Sequence, residues 1–137
     1  MIIDTSALMA IILGEPGWET LRAALTDGPC CIPACVLTEL QLVSSGGGEN
    51  DVRVAEALLE TLHAEGMKVA SFEFRHAILT NTARVRYGKG NGTGGKLNFG
   101  DLMVYAIAKD RGEPLLCTGR DFASTDLVLH PASRIDP

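Results

Sequence analysis

The sequence predicts an α/β fold in which helices cover both faces of a parallel sheet. Short apolar runs alternate with longer segments of helical periodicity along the chain, and glycine or proline residues separate them. Strands connected through helices form right-handed βαβ units, and these build parallel sheets. The length of 137 residues fits one domain, so we expect residues 1–137 to form a single unit.

Four apolar runs are predicted to be strands, and one further run is a weaker candidate. They are residues 1–4, 30–32, 67–70 and 114–117, followed by 127–130. Six segments between them are predicted to be helices: 6–13, 16–25, 33–45, 51–64, 73–85 and 98–109. The last helix is apolar on nearly all sides, which is typical of a buried helix. Five glycines between positions 88 and 95 predict a loop.

The composition is that of a globular protein, with 46% hydrophobic and 21% charged residues. No apolar run approaches the roughly 20 residues that span a bilayer. The opening Met-Ile-Ile-Asp lacks the basic region of a signal peptide, so we expect a cytoplasmic location without membrane contact. The four cysteines lack zinc-site spacing and are expected to be reduced thiols.

The charge is distributed unevenly, although the net charge is only −5. Residues 74–100 contain five basic residues and no acid, so the rest of the chain, with seven basic residues and 17 acids, carries −10. Such asymmetry is typical of a basic strip beside an acidic body. On charge alone, a solvated loop and helix face is the simpler interpretation.

Four acids fall at the carboxyl edge of the predicted sheet, where open parallel sheets bind their ligands: Asp4, Glu39, Asp101 and Asp121. Considered singly, Asp4 and Asp101 are in positions that cap helices, and Asp121 can cap a turn. Glu39 instead shares a helix face with valines, where an unpaired charge is costly.

Gathered carboxylates repel each other unless a cation neutralises them. Ligands that are all oxygen select hard cations such as Mg²⁺ or Mn²⁺, and these ions suit phosphodiester hydrolysis. The sequence contains no nucleophile elbow and no P-loop. It therefore predicts a metal-dependent site for phosphodiester chemistry.

Four motifs carry a family resemblance. They are Ile-Ile-Asp-Thr-Ser-Ala-Leu at 2–8, Thr-Glu-Leu at 38–40, Leu-Asn-Phe-Gly-Asp at 97–101 and Leu-Leu-Cys-Thr-Gly-Arg-Asp-Phe at 115–122. In this order they resemble the motifs of PIN-domain proteins, and VapC-type toxins most of all. The resemblance implies a five-stranded parallel sheet of order 3-2-1-4-5.

The resemblance also implies an activity and partners. The activity is Mg²⁺- or Mn²⁺-dependent endoribonuclease cleavage of tRNA or another structured RNA, by the toxin of a type II toxin–antitoxin system. The partners are a cognate antitoxin and, in a homodimer, a second copy of the chain.

The resemblance assigns the family's functional roles to the matching positions of this sequence. It implies that Asp4, Glu39, Asp101 and Asp121 are the catalytic residues and that the three aspartates are the metal ligands. Arg120 departs from the family pattern before Asp121, so Asp126 remains an alternative for the fourth acid. Beside such a site the basic strip would bind RNA phosphates. Its predicted substrate-binding residues are Arg84, Arg86, Lys89 and Lys96.

Two alternatives remain open. One is a catalytically silent PIN-like module that binds RNA or protein. The other is a receiver-like phosphoacceptor domain, which also places acids at the carboxyl edge of a parallel sheet. That class is less favoured because it needs an adjacent acidic pair after the first strand, and here Asp4 is followed by Thr5.

Overall fold

The computed structural model describes residues 1–135, in which strands and helices alternate. The strands are β1 (Ile2–Ile3), β2 (Cys31–Pro33), β3 (Lys68–Ala70) and β4 (Leu115–Leu116). The helices are α1 (Thr5–Ile12), α2 (Trp18–Ala24), α3 (Ala34–Gly46), α4 (Glu49–Ala64), α5 (Phe74–Tyr87) and α6 (Phe99–Arg111). Each predicted helix is present, with boundaries that differ by at most two residues.

The four strands form one parallel sheet in the order β3-β2-β1-β4. In the middle of the sheet, Ile2 lies opposite Cys31 on one side and Leu115 on the other. The α/β class is confirmed, and so is the expected order of the first four strands. Because all strands run the same way, their carboxyl ends share one edge of the sheet.

The expected fifth strand at 127–130 is reduced to a single residue pair, Leu115 with Leu129. The Leu115 N–H donates to the Val128 carbonyl at 2.9 Å, and the His130 N–H donates to the Leu115 carbonyl at 2.8 Å. Pro131 follows directly and has no N–H with which to continue a ladder. The sheet therefore has four strands and an irregular fifth segment at its β4 edge.

The core lies on both faces of this sheet. Ile2, Ile3, Leu115 and Leu116 are fully buried, as expected for strands covered by helices on either side. Residues 104–108 of α6 are also buried, which confirms the prediction from its apolar sequence. These buried elements hold the carboxyl edge of the sheet and the start of α6 in a fixed relation.

The glycine-rich loop before α6 is held by specific hydrogen bonds. The Leu97 N–H donates to the Tyr87 carbonyl at 2.9 Å, and the Lys89 N–H donates to the Leu97 carbonyl at 2.8 Å. Between these pairs, the Asn91 Oδ1 accepts from the N–H groups of Thr93 and Gly95. Gly95 allows this closure, because a Cβ there would lie 2.3 Å from the Gly88 carbonyl oxygen.

All four cysteines are free thiols; Cys35 is half-buried and the other three are buried. Within residues 1–135, no helix is both long enough and apolar enough to cross a membrane.

Candidate active site

Asp4 is a buried carboxylate at the carboxyl end of β1, only 5% exposed. It is the N-cap of α1, and its Oδ2 accepts from the Ser6 N–H at 3.0 Å and from the Ser6 hydroxyl. Burial raises the pKa of Asp4, and the hydrogen bonds from Ser6 oppose that rise. The capping role is therefore real, but it leaves a carboxylate where its charge is poorly solvated.

Ser6 connects two parts of the carboxyl edge. Its hydroxyl donates to Asp4 and accepts from the Thr118 N–H at 3.0 Å. Thr118 lies in the segment that follows β4 and leads to Asp121. The central strand and the loop after its neighbour are thus joined through one hydroxyl group, directly beside the carboxylate that ends β1.

Asp101 lies in the first turn of α6 and forms a reciprocal capping pair with Asn98. The Asp101 Oδ2 accepts from the Asn98 N–H at 2.9 Å, and the Asn98 Oδ1 accepts from the Asp101 N–H at 3.0 Å. Burial raises the pKa of Asp101 to about 7, and the charges of Asp4, Asp121 and Glu39 add to the rise. Asp101 therefore caps a helix, and its pKa is raised by the charges of the other three acids.

Glu39 extends from α3 towards the start of α6. Burial is the main cause of its raised pKa, and the charge of Asp4 raises the pKa further. The hydroxyl of Thr5 lowers it. Thr5 Oγ1 is itself buried and makes no hydrogen bond of regular geometry. A Cβ at Gly100 would lie 2.6 Å from Glu39 Oε2, so a side chain at this position would displace the carboxylate.

The structure distinguishes the two candidates for the fourth acid. Asp121 is exposed, and its charge raises the pKa values of Asp4 and Asp101. Asp126 instead accepts from the Tyr105 hydroxyl and from Lys109 Nζ, each at 2.7 Å, and these contacts lower its pKa. Asp121 therefore lies near Asp4 and Asp101, whereas Asp126 belongs to a structural ion pair.

The predicted RNA-binding residues separate into two groups. Lys89 and Lys96 line a cavity of about 370 Å³ together with Asp121. Arg84 and Arg86 lie on the exposed part of α5, where Arg84 donates to the Asn81 side chain. The structure thus places two of the four predicted residues beside the acidic site.

An apolar groove that the sequence did not predict lies on the other side of this site. It has a volume of about 480 Å³, and its lining includes Glu39, Leu42, Phe99 and Met103. Phe99 is 80% exposed and Leu42 is 69% exposed. Phe99 stands between Asn98 and Gly100 in the third motif, but no periodicity distinguishes an exposed phenylalanine from a core residue.

The donor set fits a hard divalent cation in its chemistry. Asp4, Glu39 and Asp101 offer only oxygen, and no basic residue among positions 1–135 forms an ion pair with them. In the same part of the chain, no three His, Cys, Asp or Glu side chains lie close enough together to share one ion. The acids thus form a cluster coupled by charge rather than a closed coordination shell.

The sequence of the chain places it in a known family. The PIN domain family matches residues 1–127. Ribonuclease VapC36 from Mycobacterium tuberculosis is 41% identical over 131 residues, which cover 93% of this chain and 91% of that protein. Ribonuclease VapC from Mycolicibacterium smegmatis is 35% identical over 135 residues, covering 93% of this chain and 98% of that protein.

Solved structures share the fold at lower sequence identity. The VapBC2 structure from Rickettsia felis, bound to a promoter DNA fragment, has a TM-score of 0.72 at 17% identity and covers 94% of this chain and 96% of its own. Mycobacterium tuberculosis VapC20, a sarcin–ricin loop cleaving toxin, has a TM-score of 0.69 at 18% identity, covering 93% and 95%. The receiver-like alternative is thereby excluded, and the chain belongs to the PIN-domain family and, within it, to the VapC ribonucleases.

Proposed function

We propose that this chain is a metal-dependent endoribonuclease and the toxin of a type II toxin–antitoxin system, cleaving tRNA or another structured RNA. The observation that carries the proposal is the convergence of Asp4, Glu39 and Asp101 at one sheet edge, where each has a raised pKa and none has a basic partner within residues 1–135. The 41% identical relative that is named a ribonuclease supports the same activity.

Asp4, Asp101 and Asp121 are the residues that would hold Mg²⁺ or Mn²⁺, and they would have to move closer together to share one ion, since no three acids of residues 1–135 lie close enough to do so. Asp4 is a buried carboxylate and Asp101 a half-buried one, and a cation would neutralise their charge, while Asp121 adds an exposed carboxylate at the rim. A bound divalent ion would supply Lewis-acid chemistry, polarising the scissile phosphate and lowering the pKa of a water molecule. No histidine or thiolate is needed among these ligands, since carboxylate oxygens suit both ions.

The protein's own residues supply the rest of the chemistry. Glu39 is half-buried with a raised pKa, so its carboxylate is suited to accept the proton of an attacking water. Gly100 lets the start of α6, with Asp101, lie against Glu39. Ser6 fixes the carboxylate of Asp4 and the backbone of Thr118 in one arrangement, so this part of the site is preorganised before RNA binds.

The proposal includes partners and a location. A cognate antitoxin would bind and inhibit the toxin, and a homodimer is the proposed oligomeric state. A toxin–antitoxin complex from Klebsiella pneumoniae shares the fold with a TM-score of 0.68, which is compatible with such a partner. An enzyme acting on tRNA would work in the cytoplasm.

One observation favours a second candidate function, a silent PIN-like module that only binds RNA or protein. Within residues 1–135 the acids do not form a group of three that could hold an ion. A binding module could keep these acids for helix capping, as Asp4 and Asp101 both do.

Cleavage of total bacterial tRNA by antitoxin-free protein, with Mg²⁺, Mn²⁺ or EDTA, distinguishes the two functions. We expect discrete fragments that disappear with EDTA and with Asp101→Asn, a change that keeps an oxygen to accept from Asn98. Asp126→Asn is the matched control, because Asp126 is paired with Tyr105 and Lys109 away from the site. Intact RNA with folded wild-type protein under every condition would favour the silent module.

A further inference from the structure

Arg134 contacts a turn that lies far from it in the sequence. Its Nη2 donates to Glu15 Oε2 at 2.6 Å, and its Nη1 donates to the Pro16 carbonyl. Glu15 and Pro16 lie between α1 and α2. A planar guanidinium group can serve two acceptors in one fixed geometry, which the ammonium group of a lysine cannot do. The side chain of Arg134 therefore holds the turn that follows α1.

The backbone of Arg134 pairs with the segment that follows β4. Its N–H donates to the Cys117 carbonyl at 3.1 Å, and its carbonyl accepts from the Gly119 N–H at 2.9 Å. These two hydrogen bonds form a parallel bridge with Thr118, the residue between them. Directly before Arg134, the Ser133 hydroxyl accepts from the Cys117 N–H at 3.2 Å. One residue thus connects the turn after α1 to the segment after β4.

The segment after β4 is attached to both ends of α1. In the first turn of α1, the Ser6 hydroxyl accepts from the Thr118 N–H at 3.0 Å. Beyond the last turn, Glu15 and Pro16 accept from Arg134. The eight residues of α1 span about 12 Å, so the two attachments are well separated. Two separated attachments fix the orientation of a segment, whereas a single one would let it pivot.

Asp121 lies between this attached segment and a buried residue. It follows Gly119 by two positions and precedes Phe122, which is only 2% exposed. Gly119 has a φ of 79°, a conformation that favours glycine, where the chain bends. The charge of Asp121 raises the pKa values of Asp4 and Asp101, so its carboxylate lies near both. The position of this carboxylate therefore depends on how residues 117–119 are held.

We propose that Arg134 is a positioning residue for the carboxylate of Asp121. It acts through the backbone of Thr118 and Gly119, which it holds against α1. The inference rests on the proposed nuclease function, in which Asp121 is a metal ligand. A partly exposed ion pair contributes little to stability. The main effect of Arg134 is therefore on metal affinity and on the rate of cleavage, and its effect on the stability of the fold is small.

Metal binding tests the inference directly. The probe is Mn²⁺ alone, titrated calorimetrically into antitoxin-free protein without RNA. We expect Arg134→Ala to raise the dissociation constant for Mn²⁺ at least about ten-fold, the usual effect of removing a group that holds a metal ligand in place. The melting temperature in EDTA should change by at most about 4 °C. In cleavage of tRNA, kcat should fall while KM stays the same, because Arg134 acts on a metal ligand rather than on RNA.

Arg22→Ala is the matched control. Arg22 and Glu65 form an ion pair whose side chains are 26% and 41% exposed, compared with 25% and 40% for Arg134 and Glu15. Glu65 precedes β3, at the amino edge of the sheet and away from the acids. We expect Arg22→Ala to bind Mn²⁺ as tightly as wild type does.

Hydrogen exchange of the metal-free protein gives a second measurement. In Arg134→Ala the amide hydrogens of Thr118 and Gly119 should exchange faster, because the segment can pivot once its attachment beyond α1 is lost. The amide hydrogen of Leu115 in β4 should keep its wild-type rate. Glu15→Ala should show the same pattern and a smaller loss of Mn²⁺ affinity, since it leaves the bond to the Pro16 carbonyl in place.

The outcomes separate this inference from the function on which it rests. Wild-type protein that binds no Mn²⁺ would contradict the proposed function itself. Wild-type binding that Arg134→Ala leaves unchanged, or that Arg22→Ala weakens equally, would overturn only the positioning role of Arg134. If Arg134→Ala does not fold, unchanged Mn²⁺ affinity in Glu15→Ala would overturn that role instead.

Discussion

Asp101 shows how one side chain can cap a helix and still be functionally poised. Its Oδ2 completes the capping pair with Asn98, while burial and three neighbouring carboxylates raise its pKa to about 7. The helix cap holds the carboxylate at the site, and the surrounding charges make its ionisation costly without a cation. Structural and functional interpretations of this residue are therefore compatible.

A pH-dependent stability follows for the metal-free protein. The pKa of folded Asp101 lies above its ordinary value of 3.8, so the folded state binds the proton more tightly than the unfolded state. Stability should therefore fall as pH rises from about 4 to about 7, the range between the two pKa values. Asp101→Asn should be more stable than wild type at about pH 8, by on the order of 1–2 kcal/mol after solvent screening. Thermal melts in EDTA measure this; identical pH profiles for the two proteins would contradict it.

Gly100 gives a second prediction at this scale. In Gly100→Ala the new methyl group must displace the Glu39 carboxylate, because its Cβ would lie 2.6 Å from Oε2. Alanine is a better helix former than glycine by up to about 1 kcal/mol, so the melting temperature should not fall. RNA cleavage should fall at least about ten-fold, as expected when a proton acceptor loses its position. Gly46→Ala, where a Cβ meets no atom within 4 Å, is the control and should cleave normally.

Among the elements, α5 is attached to α6 through a buried histidine. His76 Nδ1 accepts from the Glu73 N–H at 2.9 Å and so helps to cap α5, while its Nε2 contacts Asp110 on α6 at 3.0 Å. The glycine-rich loop with Lys89 and Lys96 connects these two helices. Their relative position therefore decides where the lysines lie with respect to the acids.

We expect His76→Leu to destabilise the protein by about 1–2 kcal/mol, the usual cost of losing a helix cap. Chemical denaturation measures the loss, and His63→Leu, on an exposed turn of α4, should be close to neutral. Equal stabilities of the two variants would show that α5 does not depend on this histidine. Weaker RNA binding should accompany the loss of stability if α5 shifts.

For the molecule as a whole, the sequence predicted the alternation of strands and helices. It also predicted which acids lie at the carboxyl edge of the sheet. These depend on local periodicity and on the rule that parallel strands share a carboxyl edge. The pairing of Asp126 could not be predicted, because its partners Tyr105 and Lys109 are distant in sequence. Nor was the loss of the fifth strand, which depends on how residues 127–130 meet β4 rather than on their own composition.

Cation binding should stabilise the whole fold, since the unfolded chain has no preformed site. With Mg²⁺ at about one hundred times its dissociation constant, the gain should be about 2.7 kcal/mol. Calorimetry should show a rise in melting temperature for wild type and little or none for Asp4→Asn. A wild-type melting temperature that is independent of Mg²⁺ and Mn²⁺ would argue against the assigned ligands without any cleavage assay.

The reciprocal pair of Asn98 and Asp101 has a consequence for how the protein can change over generations. A mutation that removes the Asp101 side chain, for example to alanine, takes away a proposed ligand and half of a helix cap together. Mutants from cells that survive expression of the toxin should therefore be of two kinds at this codon. Asparagine would abolish activity and leave the protein soluble, whereas alanine or valine would also reduce its abundance in the cell. Few substitutions at this residue can therefore abolish activity and still leave a stably folded protein to be inherited.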